Sequence, residues 1–161
     1  MRLVAFGDTH VPSRATAIPE WVADAVRDAD HVVHTGDFDS ASAYETVRDL
    51  APDATVVAGN MDPTGLDLPD VEVFEREGVR FAVTHGTGPV ESYRERLLDV
   101  GRERDADVVL SGHTHEVLDE TVDGIRLLNP GSATGAAPAT RTTCFELDVE
   151  DGDVDATLRD A

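Results

Sequence analysis

Asp8, His10, Asp37, Asn60, His85, His113 and His115 each follow a β-prone run through a short turn that contains glycine. Imidazole nitrogen and carboxylate oxygen together suit borderline divalent ions such as manganese, iron, nickel, cobalt or zinc, whereas an all-oxygen set suits magnesium or calcium. Seven such groups exceed one tetrahedral or octahedral shell once water is counted. A carboxylate has two oxygens with which to bridge two ions about 3.5–4 Å apart. The sequence therefore predicts two divalent cations, with Asp37 as the simplest bridge and manganese as the expected metal. These ions would polarise a water for in-line attack on phosphorus and neutralise phosphoryl oxygens. The seven ligands are also the expected catalytic set, with Asp62 behind them to orient a ligand or the nucleophile.

Such residues need strands that end at a common edge, and the hydrophobic pattern supplies them. Leu3–Phe6, His31–His34, Thr55–Ala58, Val79–Thr84 and Val108–Ser111 read as buried strands. Between them, Pro19–Ala29 places Trp21, Val22, Ala25 and Val26 at helical spacing, and Tyr93, Leu97 and Val100 do the same further on. A second helix carries Ala43, Val47 and Leu50 on one face, with Ser42 and Glu45 read as its capping box. Val71–Phe74 pairs with Val79–Thr84, and hairpins are expected around Asp123-Gly124 and Asp151-Gly152. Asn129–Thr143 reads as a loop packed near the strand ends. Alternating strands and helices followed by hairpins predict an α/β sandwich in which residues 1–161 form one domain. In open α/β sheets ligands bind beyond the carboxyl ends of the strands, which is where the polar residues fall.

The chain has 33 acidic residues against 13 basic ones, every one of them Arg, for a formal net charge of −20. Self-repulsion of that size is relieved when salt shortens the Debye length, so a salt-loving cytoplasm is expected. With no basic stripe to follow a phosphate backbone, nucleic acid is disfavoured as a partner. Cys144 is the only cysteine and no apolar run approaches the roughly 20 residues that span a bilayer, which predicts a cytoplasmic protein without membrane contact. Cys144, Trp21 and Tyr93 are read as packing residues. The oligomeric state stays open, a homo-oligomer included.

Asp8-Thr9-His10, Gly36-Asp37, Gly59-Asn60, His85-Gly86 and Gly112-His113-Thr114-His115 together resemble the calcineurin-like metallophosphoesterases, in that family's order. The short length, with Gly59-Asn60-Met61-Asp62 and Asn129-Pro130-Gly131-Ser132, is similar to a small bacterial and archaeal phosphodiesterase branch. The resemblance implies a four-layer αββα sandwich of two mixed sheets flanked by helices. It also implies a first metal on Asp8, His10, Asp37 and His115, a second on Asp37, Asn60, His85 and His113, and a hydroxide between them that attacks a small phosphodiester.

Two positions depart from that pattern. Met61 stands where many relatives have a proton-donating histidine, and Thr87 stands where the small branch often has another. Monoester chemistry with a poor leaving group is therefore the less favoured enzymatic reading. A phosphomonoesterase, a nuclease and a protein-interaction scaffold are the competing functions, the last because the fold also resembles the scaffold subunit of an endosomal sorting coat. Asn129, Ser132 and Arg141 are secondary candidates for contact with a phosphate.

Overall fold

The computed structural model describes every residue from Met1 to Ala161. In chain order the elements are β1 (Arg2–Phe6), α1 (Glu20–Asp28), β2 (His31–His34), α2 (Ala41–Leu50), β3 (Thr55–Val56), β4 (Val71–Arg76), β5 (Val79–Thr84), α3 (Tyr93–Glu103), β6 (Val108–Leu110), β7 (Val117–Val122), β8 (Ile125–Pro130), β9 (Thr143–Glu150) and β10 (Asp153–Asp160). They form two five-stranded sheets, ordered β10-β9-β1-β2-β3 and β4-β5-β6-β8-β7. Both are mixed: β1, β2 and β3 run parallel, as do β5, β6 and β8, and the remaining neighbours are antiparallel.

The alternation of side chains along each strand builds the four layers. Leu3 and Ala5 of β1 point inward with Val33, Phe81, Val83, Leu110, Leu128 and Leu147 to form the core between the sheets. Val4 and Phe6 point outward against Val22 and Val26 of α1 and Val47 of α2. On the far side, Val109 and Leu127 pack under Tyr93 and Leu97 of α3. Each fully buried aliphatic side chain contributes about 1.5–3 kcal/mol relative to exposure. The αββα sandwich expected from the motifs is the one observed.

Local details differ from the sequence reading in three places. Ser40, not Ser42, caps α2, its hydroxyl oxygen accepting the Ala43 N–H at 3.1 Å. The strand expected at Thr55–Ala58 stops at Val56, because the Ala58 N–H turns to the Pro69 carbonyl at 2.9 Å instead of continuing along β2. Asn129 and Pro130 complete β8, so the loop after it begins only at Gly131. The hairpins at Glu77-Gly78, Asp123-Gly124 and Asp151-Gly152 have positive φ at both turn residues, the conformation that two-residue hairpin turns require.

Because β1, β2, β3, β5 and β6 run the same way within their sheets, their carboxyl ends deliver the polar turns Gly7–His10, Thr35–Asp39, Gly59–Asp62, His85-Gly86 and Ser111–His115 to one end of the molecule. No helix is long and apolar enough to cross a membrane.

Candidate metal centre

Five of the seven candidate residues leave their strands in the left-handed region: Asp8 (φ 48°), His10 (45°), Asp37 (64°), His113 (76°) and His115 (62°). That conformation disfavours a Cβ and persists only where the surroundings enforce it. At the Asp37 turn the enforcement comes from Asp62, whose carboxylate accepts the N–H groups of Asp37, Phe38, Asp39 and Gly59 at 2.9, 2.6, 3.0 and 2.7 Å. Gly59 is required beside it, since a Cβ there would collide with the Asp37 carboxylate.

Asp8, His10, Asp37 and His115 are buried and bring one ligand atom each within 4.8 Å of one another. His10 Nδ1 donates to Asp39 Oδ1 at 2.8 Å, and His115 Nδ1 donates to the Ala136 carbonyl at 2.8 Å. With both Nδ1 protons committed, the two Nε2 atoms face each other at 3.1 Å as lone pairs. Two carboxylates and two facing lone pairs are a donor set for one borderline divalent ion. Asp39 was not among the candidates from sequence. Its signal was the acidic residue two places after Asp37.

The other three candidates lie beside this cluster without closing a second one. His85 Nδ1 donates to the Thr35 carbonyl at 2.8 Å, and its Nε2 lies 3.1 Å from Asp37 Oδ2 and 3.1 Å from Asn60 Oδ1. Burial lowers the affinity of His85 for its proton, but the bond to Asp37 and the charge of Asp8 outweigh burial and raise it above the usual histidine value. His113 is half-buried, with Nδ1 3.2 Å from Asn60 Oδ1 and Nε2 3.0 Å from the Gly88 carbonyl. Asn60 is exposed.

The expectation of a dinuclear centre is corrected by this arrangement. One four-ligand cluster is present where two separable sites were expected, and the phosphodiesterase and hydrolase readings that required a cation pair fall with it. Manganese is not singled out, because several borderline ions share this donor set. The expected salt-loving character has no support either. Part of the acidic surface is already neutralised in place, with Arg27 on Glu20 and Asp24, Arg102 on Asp123 and Arg126 on Asp119.

Electrostatics within the cluster follow from burial. Asp8 is fully buried, and loss of solvent pushes its carboxyl up to about 7, with His85 opposing and Asp37 adding to the shift. Burial also pushes Asp37 upward, but its contacts with His85 and the Met61 N–H hold it below the usual carboxylate range. His34 packs behind the site, stacked on Phe38 with centroids 3.8 Å apart, and burial lowers it to about 3. Its Nδ1 accepts the Gly36 N–H, so the ring is a neutral support.

Among the secondary candidates, Ser132 Oγ donates to the Asp8 carbonyl at 2.8 Å and Asn129 Nδ2 to the Gly112 carbonyl at 3.0 Å, both shaping the loops. Arg141 is exposed and paired with Asp160 at 2.9 Å. Asp62 holds backbone N–H groups; no ligand side chain is among its partners.

A family model for the calcineurin-like phosphoesterase superfamily domain matches residues 1–152. The chain belongs to that superfamily. Relatives of this calcineurin-like chain divide into two kinds. A probable metallophosphoesterase of Methanothermobacter thermautotrophicus is 39% identical over 135 residues, covering 83% of this chain and 78% of that protein. Vacuolar protein sorting-associated protein 29 of Schizosaccharomyces pombe is 30% identical over 139 residues, covering 84% and 74%. Among solved structures, a Vps29 single mutant (D62A) from Entamoeba histolytica superposes with a TM-score of 0.82 at 30% identity, covering 100% of this chain and 99% of that one.

Proposed function

We propose that this chain is a protein-interaction scaffold on the calcineurin-like fold, steadied by one buried divalent cation. The observation that carries the reading is the single cluster of Asp8, His10, Asp37 and His115. Four protein donors are the complement of a closed structural site, whereas catalytic sites keep a position open for water or substrate. A cation there would neutralise two buried carboxylates and tie the ends of β1, β2 and β6 together. Relatives named for protein sorting rather than hydrolysis support the same reading.

Within this proposal the whole chain, residues 1–161, acts as one unit, and Asn60, His85 and His113 belong to the rim of the cation site. Met61 and Val90 are exposed apolar side chains. Each is close in sequence to that rim, Met61 next to Asn60 and Val90 two residues beyond Gly88, whose carbonyl meets His113. In this reading they are contact positions offered to a protein partner beside that rim. Nucleic acid does not fit as the partner of a chain with net charge −20. A cytoplasmic partner agrees with a single, buried cysteine.

The test pairs a negative with a positive measurement. Purified protein loaded with zinc or manganese is expected to hydrolyse an aryl phosphodiester and its monoester no faster than Asp37→Asn. A partner identified by crosslinking in cells should form a stoichiometric complex with the purified chain, weakened about tenfold or more by Met61→Glu or Val90→Glu. Diester turnover that disappears in Asp37→Asn rejects the proposal.

A further inference from the structure

The two histidines of the cluster are held differently. His115 Nδ1 rests on a neutral carbonyl, that of Ala136, whereas His10 Nδ1 rests on a carboxylate, Asp39 Oδ1, at 2.8 Å. The Asp39 side chain is only 6% exposed, and its other oxygen accepts a hydrogen bond from Ser13 Oγ. Its own N–H is taken by Asp62 at 3.0 Å, and its backbone is held at a φ of 82°. A buried carboxylate is costly unless it is paired and hydrogen-bonded, and one of the two partners that hold this one is the His10 ring.

We infer that Asp39 is a positioning residue for the cation: it fixes the His10 tautomer, aims Nε2 into the cluster and adds a negative charge behind the ring that tightens cation binding. The inference rests on the reading of the cluster as a single-cation site. A carboxylate behind a ligand histidine strengthens the ring as a donor, and its loss costs roughly 10–100-fold in metal affinity. Ser13, on the segment between β1 and α1, belongs to the same chain of contacts, so that His10, Asp39 and Ser13 link the cation to that segment. The carbonyl behind His115 has no such charge, which makes His10 the more strongly tuned ligand.

Cobalt(II) tests this by affinity and by its visible spectrum, neither of which depends on catalysis. Asp39→Asn keeps the shape of the side chain and removes its charge. Its cobalt affinity should fall by about 10–100-fold, with shifted visible bands, while its melting temperature in chelator stays near that of the parent. Ser13→Ala, an exposed change that frees one carboxylate oxygen, should fall by a smaller factor and in the same direction. Should Asp39→Asn fail to fold, Asp39→Ser, which also removes the charge, decides: parental affinity and spectrum overturn the role of Asp39. Parental affinity in a folded Asp39→Asn does so directly. If the parent chain itself binds no cobalt, the single-cation reading fails as well, which separates the two failures.

Discussion

His10 and His115 lie 105 residues apart in the chain, yet their Nε2 atoms face each other at 3.1 Å. Both rings spend their Nδ1 proton on an acceptor behind them, Asp39 for one and Ala136 for the other. Two lone pairs at that separation repel unless a positive charge lies between them, and Asp8 and Asp37 close the remaining sides of the same cluster.

That relationship sets a stoichiometry. Protein dialysed against zinc and measured by elemental analysis should retain about one ion per chain. His115→Ala should lower this towards zero, and His113→Ala should leave it unchanged. Two tightly held ions per chain, one of them lost in His113→Ala, would contradict the single site.

Asp62 is expected to matter for stability more than its partial exposure suggests. Asp62→Ala strands four backbone N–H groups, at a cost of about 2–4 kcal/mol, whereas Asp62→Asn keeps one accepting oxygen and should cost less. Urea denaturation measures both; an Asp62→Ala midpoint equal to the parent's would show that water replaces the carboxylate freely.

The cation-free protein should lose stability as pH rises from 6.5 towards about 8. Asp8 is raised from 3.8 to about 7 by burial, so its contribution is lost progressively from about pH 4 upward, and only the last part of that loss falls between 6.5 and just above 7. His85, raised above 6.5 by Asp37 and Asp8 against its burial, likewise contributes below 6.5 and loses that contribution as pH passes its folded value. His31, His34, His113 and His115 are lowered, so they remain neutral in both states above 6.5 and add no slope there. The melting temperature in chelator should fall by several degrees, at roughly 2–4 °C per kcal/mol, and added zinc should restore it. A flat profile in chelator counts against this account.

Cys144 should behave as a core residue. Burial pushes its thiol up to about 12, with Glu146 adding to the shift, so almost no thiolate exists near neutrality. Iodoacetamide at pH 8 should leave the native chain unmodified and alkylate it fully in urea. Native-state alkylation at the rate of a free thiol would show that β9 opens readily.

The fold was largely legible because strand alternation and helical spacing are local signals. Leu3 and Ala5 against Val4 and Phe6 already announce a strand buried on both faces, and the turns at Asp123-Gly124 and Asp151-Gly152 announce their hairpins. The end of β3 was not legible, since the Ala58 N–H finds its partner in Pro69 on a distant loop. Asp39 is not legible in the sequence for the same reason: an acidic residue in a turn carries no local sign of the His10 ring packed against it.

Residue types and spacing already place Asp8, His10, Asp37 and His115 among seven candidates at successive strand ends, because parallel strands carry such ends to one edge. How those candidates group around a cation follows from their arrangement in three dimensions. Which nitrogen each ring turns inward is set by partners remote in sequence: the Thr35 carbonyl for His85, the Gly88 carbonyl for His113, Asp39 for His10 and the Ala136 carbonyl for His115. Those contacts leave two lone pairs facing each other over Asp8 and Asp37, and so separate one closed cation site from the pair that residue types alone had suggested.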